Sequence, residues 1–572
     1  MEKNICYRQR RRKDVVYDDC VSEDSLSQGG SFEIQAEEDS GSSTKKASLK
    51  KCRRDLREYN ILLAALLSED GTRTSSHREM EIIAERFCSN LFRSSTPVSS
   101  PIIPTGEAPP RILPSEVRVA IKSMKPGTAP ETDFISEDFL RAIHFMQSYL
   151  QKERIPDQWK TSQTVLIHKK GDREDLRNYY PICLLSVLYK LFTKIILTHI
   201  SRTLDEAQPQ EQTGFRQGFS CLDHIQTVSR IIEVCREYRL LLVLTFVDYE
   251  KAFDSVETNA ILSALVDEGV DASYVRTLAN CYDRCTTRIQ LFHRPLTIPI
   301  GKGARQGDII SPKLFTAALQ WIMKSLSWEE RGIRVDGRIL SNLRFADDIV
   351  LFPSSTNETE TMLNELNEAG RKIGLRINRK KTQFMKNAYC EDGRVQLEGS
   401  QMVETSSHIY LGRSMNMEND LKEELNRRMR AAWAAFAAVR EATDQLTDQD
   451  LRALLLDSTV LPALCYAVET WADIAARCTQ HLAYLHSYEL RGMSRLRDAA
   501  DYISKAKRRW VGHTMKRIGG RWTKRTLEWI RRDANPFEGD GKRDGVECSL
   551  HGAQLDTAQG PPQHHSRNLR TS

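Results

Sequence analysis

Two apolar stretches alternate with turns in a way that predicts buried strands. Leu240–Val247 (LLLVLTFV) is an unbroken apolar run, so it is expected as a strand covered on both faces. Leu343–Phe352 (LRFADDIVLF) reads as strand, tight acidic turn, strand. Elsewhere the period is helical. Residues 56–93 carry Leu62, Leu63, Leu66 and Leu67 in a helix-like pattern, and Ile182–Ile200 reads as a buried helix carrying Lys190 and Lys194. Beyond Tyr410 the chain turns helical, with Leu421, Leu425, Met429, Trp433, Phe436 and Val439 recurring at helical spacing. Between about 111 and 390 helices and short strands alternate, which predicts a mixed α+β domain.

The ends differ from this middle. Residues 1–55 are rich in Ser, Glu, Lys and Arg and poor in aliphatics, so they are expected to be disordered, with basic clusters at Arg8–Lys13 and Lys45–Arg54. A linker with Pro97, Pro101, Pro104, Pro109 and Pro110 closes the segment 56–110. The last forty residues look like a frayed tail.

Composition narrows the class. A chain of 572 residues with 40% hydrophobic and 28% charged residues has material for several compact units. The formal net charge is +6, yet Arg491–Asp533 holds 14 Lys/Arg against 4 Asp/Glu. Such a segment suggests phosphate contact, although a solvated helical face also explains a charge run. The 13 cysteines follow no secretory signal and form no zinc-ligand spacing, so they are read as reduced thiols of an intracellular protein. Lysines break the most apolar run, so no membrane span is expected.

The candidate chemistry lies in carboxylates. Asp347 and Asp348 sit in an apolar frame, where adjacent negative charges repel and are costly to bury unless a cation joins them. A lone Asp-Asp pair is most often a surface turn. Here Asp248 emerges directly after the apolar strand, and a third carboxylate facing the hairpin would complete an oxygen-ligand site for magnesium. Glu250 and Asp254 lie nearby and are expected to point elsewhere. Between the two segments, GARQGDIISPKLF supplies glycines for close backbone approach and a Ser311-Pro312 helix start.

In order and spacing, FVDYEKAF, GARQGDIISPKLF, FADDIVLF and GLRINRKKTQF resemble motifs A to D of reverse transcriptases, above all the enzyme of non-LTR (LINE-like) retrotransposons. LIHKKGDREDLRNYYPICLLS, QTGFRQGFSCLDHI and IYLG at Tyr410–Gly412 extend the resemblance over roughly 111–475, and RLRDAADYISKAKRRWVGHTMKR resembles sequence downstream of such polymerases. The resemblance implies a right-hand polymerase: fingers and palm at 111–395, a helical thumb at 396–475, and a basic helical extension and frayed tail at 476–572.

By the same resemblance, Asp248, Asp347 and Asp348 are the catalytic metal ligands for two magnesium ions, with manganese as a substitute. Phe253 is the aromatic gate against a ribose 2′-hydroxyl, or else a core aromatic. Gln306 and Gly307 position nucleotide and template. Arg216 and Lys169 or Lys170 meet the triphosphate, and Lys380 assists proton donation. The implied partners are an RNA template, a DNA primer and deoxynucleoside triphosphates, with the nucleus as the place of action.

The match departs from the family at Tyr180, where an Arg is usual, and at Ala129–Asp133, where Glu131-Thr132 replaces a turn glycine. Segments near 143–148 and 474–490 look short, and no endonuclease domain precedes the polymerase. These features imply a truncated copy of a mobile element. The alternative is a decayed remnant that keeps the fold and binds RNA. An RNA-copying RNA polymerase and a group II intron maturase are further rivals, opposed by Phe253 and by the downstream sequence respectively.

Overall fold

The computed structural model describes residues 64–106, 109–124, 145–169, 171–292, 294–471, 497–516 and 520–529. The N-terminal segment with its basic clusters, the 129–133 run, Lys170 and the C-terminal tail lie outside the described residues.

Five strands build the palm: β1 (Val243–Val247), β2 (Asn342–Phe345), β3 (Asp348–Leu351), β4 (Gln383–Lys386) and β5 (Val403–Glu404), in the spatial order β2-β3-β1-β4-β5. Neighbours are antiparallel except β4 and β5, which run parallel. All five residues of β1 are buried. Val243 and Val247 join one core with Leu314, Phe315, Ile195 and Leu366, whereas Leu244 and Phe246 join a second with Ile225, Val228 and Val350. Helices therefore cover both faces, as the unbroken apolar run predicts for a doubly buried strand. The helices are Val187–Ala207, Ser311–Met323 and Thr356–Lys372 on one side and Cys221–Glu237 on the other.

The fingers hold a second sheet of Tyr179–Leu184, Thr161–His168, Cys285–Gln290 and Pro295–Ile300, in that order. The helix His77–Phe92 buries Met80, Ala84, Cys88 and Phe92, a four-residue repeat, and packs Cys88 and Phe92 against Ile289 and Ile298. Two sequence expectations are corrected here. Leu66 and Leu67 are not helical; they pair with Thr74 and Arg73 across a turn in which Asp70 accepts the Thr72 N–H at 2.9 Å. The Ile182–Ile200 run is split, because Ile182–Leu184 finish a strand. The helix starts only after Ser186, whose hydroxyl caps the Tyr189 N–H at 3.2 Å.

Past the palm, a hairpin of Ser407–Tyr410 and Arg413–Asn416 leads into the helices Lys422–Gln445 and Gln449–Leu464. The expected apolar stripe is not the buried face of the first helix. Glu424, Arg428 and Ala432 are buried, and Trp433 is 67% exposed. The reason is polar anchoring: Glu424 accepts the Ser414 N–H at 2.8 Å and the Arg428 Nε–H at 2.6 Å, and Arg428 donates to the Gly412 carbonyl at 2.5 Å. Two further helices, Ala499–Lys516 and Trp522–Glu528, return to the main body. Ile503 packs with Leu461 and Trp471, and Trp522 and Trp529 enter the second palm core. Among the described residues no helix is long and apolar enough to cross a membrane.

Candidate active site

Strand register brings two of the three carboxylates to one end of the sheet. Ile349 pairs with Val247 at the last step of the β3–β1 ladder, so Asp348 and Asp248, the residues that adjoin that step, lie at the same end of the sheet. Asp347 belongs to the two-residue turn that joins Phe345 to its partner Asp348. The turn residue before it, Ala346, has a left-handed φ of +59°.

That turn is held from behind by Glu211–Phe215. The Gln212 side-chain oxygen accepts the N–H groups of Gly214 (2.8 Å) and Ala346 (3.1 Å). Thr213 N–H donates to the Arg344 carbonyl at 3.0 Å, and Arg344 N–H donates to the Glu211 carbonyl at 2.8 Å. A Cβ on Gly214 would fall 2.4 Å from the Ala346 nitrogen, so only glycine lets the two backbones touch. The Arg344 side chain is buried beside this turn. Burial pushes its pKa down to about 10, and its Nη1 donates to Gln320 at 2.8 Å.

Asp248 is fixed on its other side. Its N–H donates to Thr382 Oγ1 at 3.2 Å and its carbonyl accepts the Asn378 N–H at 2.7 Å. Its carboxylate meets the Lys381 ammonium at 3.1 Å. The lysine that reaches this carboxylate is the neighbour of Lys380, the residue expected from the sequence. In the tight turn Asn378–Thr382 the exposed Lys380 donates its N–H to Asn378 Oδ1 at 3.1 Å, and it is the next residue that reaches the carboxylate.

Phe253 stacks on Phe315, centroids 4.4 Å apart, and meets Phe215 edge-on at 6.2 Å. It is partly buried, an aromatic packed against the core with some surface left exposed. One residue on, Asp254 is buried and accepts the Gln306 amide N–H at 3.0 Å. Burial, opposed by Lys251 and by that hydrogen bond, pushes the Asp254 carboxyl up to about 7. Gln306 also offers its carbonyl to the Cys183 N–H at 2.7 Å. A Cβ on Gly307, where φ is +113°, would fall 2.3 Å from the Cys183 carbonyl oxygen. The close approach this glycine permits is therefore to the fingers strand. Ala304 and Gly303 donate to the carbonyls of Phe253 (2.7 Å) and Val256 (2.8 Å). The glycine loop is thus clamped between the segment after β1 and the fingers.

The expected triphosphate cations fare differently. Arg216 donates to the carbonyls of Pro209 (2.6 Å), Gln212 (3.0 Å) and Asp205 (3.0 Å), so its guanidinium braces the loop behind the acidic turn instead of facing a triphosphate. Lys169, at the end of the fingers strand, donates to the Tyr180 hydroxyl at 2.5 Å. The residue standing where the family has Arg therefore binds the neighbouring cation.

Gln212, Lys381 and the Asp254–Gln306 pair escaped the sequence reading. Gln212 carried a weak signal, since it opens QTGF; the others depend on which face of a turn a side chain takes.

The donor chemistry fits magnesium, because three carboxylates offer only hard oxygen ligands. Among the described residues, however, no three His, Cys, Asp or Glu side chains are drawn together tightly enough to ligate one ion. The Asp248 carboxylate is instead turned toward Lys381. The carboxylates share one end of the sheet without converging on one point.

This geometry agrees with the similarity to known proteins. The family model described as reverse transcriptase (RNA-dependent DNA polymerase) matches residues 167–415. A transposon-derived protein of Caenorhabditis elegans is 38% identical over 34% of this chain and 79% of its own length. The retrovirus-related Pol polyprotein from the retrotransposable element R2 of Popillia japonica is 30% identical over 47% of this chain and 39% of the polyprotein. A Drosophila melanogaster protein named as an RNA-directed DNA polymerase from transposon BS is 25% identical over 78% of this chain, which spans 51% of it. The chain thus spans most of the first relative and about half or less of the other two. With its acidic hairpin on an α+β palm, the chain belongs to the reverse transcriptase family of non-LTR retrotransposons.

Proposed function

We propose that the chain is an RNA-directed DNA polymerase that adds deoxynucleotides to a primer 3′-end on an RNA template. The observation that supports this reading is the β3–β1 register, which brings Asp348 and Asp248 to one end of the sheet with Asp347 in the adjoining turn. Two magnesium ions held by these three carboxylates would activate the primer hydroxyl and neutralise the triphosphate. Phe253 stands next to the strand end to exclude a 2′-hydroxyl. Gln306 and Gly307 shape the loop that nucleotide and template lie against, braced by Asp254 and Cys183. Lys169, at the end of the fingers strand, would reach the triphosphate by exchanging its hydrogen bond to the Tyr180 hydroxyl for a phosphate oxygen, and Lys381, which meets the Asp248 carboxylate, would assist proton transfer.

The test is primer extension on an RNA template with magnesium, parent chain against Asp347→Asn. Extension by the parent alone supports the reading; equal extension by both rejects the site. The rival, an RNA-binding remnant without activity, is favoured by the Lys169–Tyr180 hydrogen bond, which occupies a cation meant for phosphate. It predicts RNA binding by the parent and no extension at all.

A further inference from the structure

The segment Arg521–Glu528 comes from a stretch whose basic charge suggests phosphate contact, yet its contacts point inward. Trp522 is 6% exposed and donates its indole N–H to Glu211 Oε1 at 2.8 Å. Arg521 donates to the Gly218 carbonyl at 2.8 Å, with its guanidinium 3.7 Å above the Phe219 ring. Thr523 donates to the Asp223 carbonyl at 3.1 Å. Asp223 in turn caps the helix Cys221–Glu237 by accepting the Ser220 N–H at 2.7 Å.

Every one of these acceptors lies in residues 211–223, the stretch that backs the acidic turn. Glu211 is the joint. Its side chain takes the tryptophan N–H and its carbonyl takes the Arg344 N–H, three residues before Asp347. Its neighbour Gln212 holds the Ala346 N–H. The buried Arg344 guanidinium also feels the Glu211 carboxylate, which opposes the effect of burial on it. Trp522 and Trp529 fill the same core as Leu343 and Val350, which flank the turn on β2 and β3.

We propose that Trp522 is a positioning residue for the polymerase carboxylates, acting through Glu211 to hold the Ala346–Asp347 turn in its left-handed conformation. The physical logic is that a non-glycine residue at φ +59° costs free energy and persists only where its surroundings over-determine it. Glu211–Phe215 hold the turn directly, and Trp522, about 175 residues further along the chain, braces Glu211 in turn. Only the activity arm of the test rests on the polymerase reading.

The full chain is compared with Trp522→Phe, which keeps the aromatic packing and loses the N–H. Glu211→Gln keeps the acceptor, and Glu211→Leu removes it. Amide hydrogen exchange at Arg344 and Ala346 is read against Thr164 and Cys183 in the fingers sheet. Loss of one hydrogen bond to a charged group should speed exchange at the turn by about tenfold in Trp522→Phe and Glu211→Leu. Glu211→Gln and the fingers amides should stay near parent values. In primer extension the same two variants should lose kcat with the nucleotide KM unchanged. Uniform acceleration of exchange at both sheets, or none at the turn, overturns the proposal. If the parent chain fails to extend primers while the turn alone loosens, the positioning role stands and the polymerase reading falls. Should Trp522→Phe fail to fold, the Glu211 pair decides by the same exchange ratio.

Discussion

Lys381 holds the Asp248 carboxylate at 3.1 Å from the turn that follows the Thr356–Lys372 helix, while its exposed neighbour Lys380 takes no part in that contact. Adjacent lysines in one turn thus make different contacts. Lys381→Ala is expected to slow nucleotide addition by roughly a hundredfold, the lower range for loss of a positioned proton-transfer group. Lys380→Ala should stay close to the parent. Single-turnover kinetics on both variants checks this, and equal losses would send the role back to general charge.

Phe253 has one neighbour stacked at 4.4 Å and another edge-on at 6.2 Å, so shortening it should cost both packing and selectivity. Phe253→Val should lower discrimination against ribonucleotides by about one to three powers of ten, at 1.4 kcal/mol per tenfold. Single-nucleotide kinetics with ribo- and deoxynucleotides measures it. A drop in stability with an unchanged ratio would make Phe253 a core residue only.

Gly307→Ala is expected to be far more damaging than an exposed glycine substitution. The new Cβ would meet the Cys183 carbonyl oxygen at 2.3 Å, so one of the two backbones would have to shift. A loss of about 2 kcal/mol or more is expected for such a clash at a left-handed position. Gly269→Ala, also at positive φ but with open space around it, is the control. Thermal melts that rank the two equally would reject the clamp between loop and fingers.

Asp254 links pH to stability. Its folded pKa, about 7, lies above the ordinary value of 3.8 because burial disfavours the charged form. A raised carboxyl pKa means that the folded state holds the proton more tightly than the unfolded state. The resulting stability is present below pH 3.8, fades as pH rises, and is gone above about pH 7. Asp254→Asn keeps an acceptor for Gln306 and removes the titration. Its melting temperature relative to the parent should therefore climb between pH 5 and pH 8 by a few degrees. A flat difference would mean that Asp254 stays charged throughout.

The basic helix Ala499–Lys516 exposes Arg508, Arg509 and Lys516, whereas Trp522 and its neighbours are committed inward. Deleting the whole segment would therefore confound charge with the contacts behind the acidic turn. Replacing Arg508, Arg509 and Lys516 with Gln is the cleaner experiment. Each lost phosphate contact should lessen the slope of log affinity against log salt by about 0.7–0.9. An unchanged slope would leave this face merely solvated.

Much of this protein was legible in one dimension. The LLLVLTFV run demanded cover on both faces, and Leu343–Phe352 carried its own hairpin, because alternation and turn chemistry are local properties. Order and spacing of the motifs pointed to the family before any contact was known. Short apolar runs were less decisive: Leu66–Leu67 paired as a strand because a turn follows them, and Trp433 stayed outside because Glu424 and Arg428 anchor its helix.

Only the tertiary structure decided which side chains meet. Asp248 and Asp348 are a hundred residues apart and come to one end of the sheet through strand register, which no local pattern encodes. Lys381 rather than Lys380 reaches the carboxylate because a tight turn selects one face. Arg216 braces a loop because three carbonyls surround its guanidinium. Residue types and spacing named the chemistry. The fold distributed the partners, since each hydrogen bond and ion pair depends on distances across segments that the chain itself keeps far apart.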